Sequence, residues 1–177
     1  MGIARAARNV TRYLGAITLR AMSDYERLVW SPPTHAVITV GDALVQLWER
    51  DAPVDAFRAI LRHCEERKRA RPDRPLWMLA VSSEHAGMPE TEARKVSARF
   101  PEFFTEFALV IEGSGFKASA ARAVMASMSM MSSRRAKAHI VATVPEACRI
   151  LASLSHGALE AAPLVRAIGE ARELLRR

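Results

Sequence analysis

Two apolar runs almost free of polar residues, LWMLAV at 76–81 and FALVIE at 107–112, constrain this chain more than any other feature. A strand reads this way when both faces of its pleat are covered, as in a parallel sheet between helical layers. A segment with helical spacing follows each run, and AHIVAT at 138–143 supplies a last strand. Strands and helices in alternation imply parallel pairing through right-handed crossovers. Upstream the order is different. ERLVWS at 26–31, HAVITV at 35–40 and ALVQLWE at 43–49 follow one another closely, with Pro32-Pro33 and Gly41-Asp42 as the turns between them. Neither proline can donate to a ladder, and Gly-Asp suits a hairpin. The expected fold is α/β, a mixed sheet of N-terminal antiparallel strands and then alternating β/α units, with helices packed on it.

Helix signals fill the gaps. Residues 51–70 offer Asp51 as a cap, Pro53 in the first turn and a stripe of Val54, Phe57, Leu61 and Cys64, and RPDRP ends them. A second helix is expected from Pro89 to about Phe104 and a third from Phe116 to about Ser132. Thr143 and Glu146 have capping-box spacing before a fourth, with Ala147, Ile150, Leu151 and Leu154 inward. Beyond Gly157, an appended helix carries Leu164, Val165, Ile168 and Leu175 on one side. That stripe needs cover, from its own domain or from a second copy in a homodimer. The chain thus divides into a basic arm (1–22), an α/β domain (23–156) and a C-terminal helix (157–177).

The net charge of +7 suggests nucleic acid until it is apportioned. Arg5, Arg8, Arg12 and Arg20 supply +4 within 1–21, and the remaining 22 basic and 19 acidic side chains nearly balance. The arm reads as poorly ordered, as an extension upstream of a start at Met22, or as a weak peripheral-membrane or targeting helix. The basic run from Arg62 to Arg74 is interrupted by Glu65, Glu66 and Asp73 and lacks interleaved aromatics, so it reads as a solvated face and nucleic acid is not expected. No apolar run approaches the roughly 20 residues that span a bilayer. Cys64 and Cys148 have no CxxC spacing, and the five histidines show no HxxxH or HExxH pattern. No disulfide framework or metal site is expected, and a reducing cytoplasm fits.

Three stretches hold candidate chemistry. Gly113-Ser114-Gly115, with Phe116, Lys117 and Ala118, follows a strand and opens a helix, formally as the GxGxxA dinucleotide fingerprint does. That fingerprint belongs to a first βαβ unit with an acid about 20 residues on, which is absent here, so a tight turn with weak anion-binding potential is expected and no cofactor. No GKS or GKT follows, which excludes a P-loop. Ser82-Ser83-Glu84-His85 supplies a nucleophile, an acid and a base in consecutive positions at a strand end, where α/β sheets tend to bind ligands. Neighbours in sequence rarely converge on one point, so a polar loop is the plainer reading. Met125, Met128, Met130 and Met131 on the third helix either pack on the sheet or offer an adaptable apolar surface.

The element order, the stretch VIEGSGFKASAAR and the closing PEACRIL helix (145–151) resemble the STAS/SEC14-type families, STAS being the sulfate-transporter and anti-sigma-factor-antagonist domain. The resemblance implies a regulatory, non-enzymatic module that works through protein–protein contact. Its antagonist branch carries a phosphorylatable serine at the junction matching Ser82 to Pro89. Glu84 and His85 follow the serines here in place of the family's Asp-Ser-Ser-Gly pattern, so no phosphosite is carried over. The SEC14 branch would imply an apolar ligand. The expected contact surface is Ser82, Ser83, Glu84 and His85 with Gly113, Ser114, Gly115, Phe116 and Lys117. The alternative is an anionic or lipid-like small ligand at the same loops, and the third reading is a hydrolase using Ser83 and His85.

Overall fold

The computed structural model describes residues 25–50, 52–116, 118–123 and 137–177. The basic arm, the Asp51 cap, Lys117 and the four methionines of the third helix lie outside them. Six strands form one sheet in the order of the chain: β1 (Glu26–Ser31), β2 (His35–Val40), β3 (Ala43–Trp48), β4 (Trp77–Ser82), β5 (Glu106–Ile111) and β6 (Lys137–Val141). The first three pair antiparallel and the rest parallel, as the spacing of the apolar runs requires. Gly41 closes the β2–β3 hairpin at a positive φ of 58°.

Because side chains alternate across a pleat, each strand serves two cores. Trp77, Leu79 and Val81 of β4 join Val45, Leu47, Ala108 and Val110 on one face. Two helices cover that face: α3 (Val144–Leu154) and α4 (Ala161–Leu175). Thr143 caps α3 as its spacing predicted, its Oγ1 accepting from the Glu146 N–H at 3.4 Å. Buried Ala147, Cys148 and Leu151 of α3 then meet Leu164, Ala167, Ile168, Ala171 and Leu175 of α4. The apolar stripe of α4 is thus covered by its own sheet and by α3.

On the opposite face, α1 (Val54–Ala70) lies over β1 to β3. Its buried face is Ala56, Phe57, Ile60 and Cys64, while Val54 and Leu61 of the expected stripe are half-buried. Pro53 is the cap residue and not part of the first turn. Arg67 and Arg74 pair with Asp42, which fastens the end of α1 to the β2–β3 turn. Part of the basic run is therefore spent on ion pairs within the domain.

The second helix is a correction. It ends at Ser97, giving α2 (Thr91–Ser97), and a 3₁₀ turn at Phe100–Glu102 replaces the rest. Pro101 has no N–H for an α-helical ladder, and Phe100 and Phe104 turn inward instead. This short helix packs against α1 more than against the strands. Among the described residues, no long helix lies over the face of β4 to β6 beside it.

Candidate functional site

Among the described residues, a cavity of about 800 Å³ lies on that face. Its floor follows from register. Gln46, Ala80, Leu109 and Ile140 stand opposite one another across β3 to β6, and Met78, Phe107 and Ala138 form the next row. Ala80 and Ala138 are short where neighbouring rows are filled, which supplies depth. Trp48, Phe57, Phe100 and Phe104 make a continuous aromatic wall, with Trp48 stacked on Phe57 at 5.1 Å and Phe57 on Phe100 at 5.9 Å. A concave, chiefly apolar site with a few polar groups is the usual form of a small-molecule pocket.

The mouth is built by the two loops singled out from the sequence. Glu112 N–H donates to the Ser82 carbonyl at 3.0 Å, and a Cβ on Gly113 would come within 3.5 Å of the Glu84 Cβ. Ser82, Ser83, Glu84, Gly113, Ser114 and Gly115 all line the cavity. His85 and Phe116 are exposed and are not among the lining residues.

Ser83 is committed to structure. Its hydroxyl donates to the Glu49 carbonyl at 2.7 Å and accepts from the His85 N–H at 3.2 Å, so it ties the loop to the end of β3. The His85 ring faces the Glu84 carboxylate at 3.5 Å in exposed surroundings. Among the described residues no hydrogen bond joins that ring to the Ser83 hydroxyl. The two side chains are thus engaged apart, Ser83 with the backbone and His85 with Glu84.

The two glycines differ. Gly113 adopts φ +109°, and a Cβ there would lie 3.2 Å from the Ala118 Cβ. Gly115 has open space around its Cα. Only the first is required by the turn. Gly113→Ala should cost about 2 kcal/mol through backbone strain. Gly115→Ala should be neutral or stabilising by up to about 1 kcal/mol. Urea denaturation of the two variants checks this, and equal costs would refute it.

Other groups hold the site and carry no sequence motif. Arg122 donates to the carbonyls of Ile111 at 2.7 Å and Gly113 at 3.2 Å, stapling the turn. On the far side, Arg172 of α4 donates to Glu49 at 2.7 Å and clasps both oxygens of Glu112 at 2.7 and 2.5 Å. Burial alone would push the Glu49 carboxyl up, but Arg172 and Arg176 outweigh it and hold it below the usual carboxylate range. Both cysteines are buried, which pushes their thiols up to about 12, so neither is a nucleophile near neutral pH. Among the described residues no three His, Cys, Asp or Glu side chains converge as metal ligands, and no helix is long and apolar enough to cross a membrane.

The chain matches no protein-family model, no curated protein and no solved structure.

Proposed function

We propose that this chain is a non-enzymatic binding module of STAS/SEC14-like build whose cavity takes a small, largely apolar molecule. The cavity carries the reading: about 800 Å³ of apolar and aromatic lining opens at the ends of parallel strands. Ligands of α/β sheets bind at such strand ends. The expected alternative, a small-ligand module, thereby stands ahead of protein contact alone. Titration with diphenylhexatriene, an uncharged hydrocarbon that fluoresces when shielded from water, tests it. Saturable one-to-one binding is expected, weakened at least about tenfold by Leu109→Trp, which fills the floor. No saturable binding, or equal binding by the filled variant at unchanged Tm, would refute it.

Protein contact remains a second reading because of Met88 and Phe116, which are 80% and 88% exposed. They stand on the two loops at the mouth, where a partner could read whether the cavity is occupied.

A further inference from the structure

We infer that Gln46 is the polar anchor of the cavity, and that the ligand carries one neutral hydrogen-bonding group, a carbonyl or hydroxyl, on an apolar body. This rests on the cavity being a binding site. Gln46 lies in the middle of β3, only 3% exposed, at a position where a sheet floor ordinarily carries an aliphatic residue. Its row is otherwise Val37, Ala80, Leu109 and Ile140. A primary amide has two N–H donors and a carbonyl with two lone pairs. Among the described residues, Gln46 uses one: Nε2 donates to the Met78 sulfur at 2.7 Å, and a thioether is a weak acceptor. A buried amide whose one described partner is a weak acceptor gains from a stronger one. The remaining capacity borders the cavity, because Ala80 opposite Gln46 has no side chain long enough to meet it.

The charge around the cavity narrows the class further. Among its described lining residues, only Glu84 and Glu112 are charged, and both are acids. Arg122 beside the turn is spent on the carbonyls of Ile111 and Gly113 and on the Ser119 hydroxyl. Among the described lining residues a carboxylate or phosphate head would find no cation and would meet Glu84. The anionic half of the ligand expectation is therefore the weaker half, and a neutral ketone, amide or alcohol fits the lining.

Three probes test this on the full chain and on Gln46→Leu and Gln46→Met, which keep the volume of the side chain. Prodan is a neutral aromatic ketone whose emission shifts to the red when its carbonyl accepts a hydrogen bond. Diphenylhexatriene has no such group, and anilinonaphthalene sulfonate is an anion. Prodan is expected to bind the unaltered chain with red-shifted emission, and both variants about tenfold more weakly without the shift. Diphenylhexatriene should bind all three equally, and the sulfonate should bind the unaltered chain more weakly than prodan does. Equal prodan affinity and emission in all three would overturn the role of Gln46 while leaving the cavity as a binding site. Tighter sulfonate binding would overturn the neutral class. Failure of both neutral probes to bind the unaltered chain would remove the binding site itself.

Discussion

Arg172→Ala should lower the Tm by roughly 6–12 °C, the largest single effect expected of any charged residue in the domain. Arg172 is 15% exposed and sits between Glu49, 11% exposed, and Glu112, 27% exposed. Its removal leaves two largely desolvated carboxylates facing each other, with only the exposed Arg176 at 3.1 Å from Glu49. Breaking one partner out of a buried ionic cluster typically costs about 3 kcal/mol or more. The pH dependence carries a sign. Glu49 is held below its ordinary value, so its contribution is full at neutral pH and is lost as the pH falls through that lowered value. In the variant the burial that pushes Glu49 up is no longer outweighed by Arg172. The stability gap should therefore be widest near neutrality and narrow on acidification toward the carboxylate range. Urea denaturation at neutral and mildly acidic pH measures both slopes. A gap under about 1 kcal/mol that ignores pH would place the cluster among ordinary surface pairs.

Ile168→Ala should cost about 3 kcal/mol, and the cost should be the same at every protein concentration. Ile168 is 1% exposed, in one core with Leu164, Leu175 and Leu151, so α4 completes the monomer's second layer. Removing three carbons there leaves a cavity that closed packing cannot fill. A loss that shrinks as concentration rises would mean instead that the stripe is shared between two copies. Val165, partly buried at the edge of that core, should tolerate alanine at under about 1.5 kcal/mol.

Much of this architecture was legible in order and pattern. LWMLAV and FALVIE announced strands of a parallel sheet, and Thr143 with Glu146 announced a helix start, because these signals act within a few residues. The two loops at the mouth were legible as strand ends of a parallel sheet. What was hidden depends on register or on distant partners. Gln46 reads as one polar residue in an apolar run, and it becomes the centre of a floor only once it stands opposite Ala80 and Leu109. The early end of α2 came from inward-turning phenylalanines around Pro101, which a helical periodicity conceals. Arg172 reaches Glu49 across 123 positions and Glu112 across 60, beyond any local pattern. Ser83 and His85 were visible as chemistry but not as geometry: the hydroxyl turned out to be a loop tie.

The cavity as a binding site is the claim on which the rest depends. Native mass spectrometry of the protein purified gently from its own host tests it most directly, beside the Leu109→Trp variant prepared in the same way. The account predicts a small, uncharged adduct on the unaltered chain, released on denaturation and absent from the variant. A bare protein mass for both, or the same adduct on both, would contradict it.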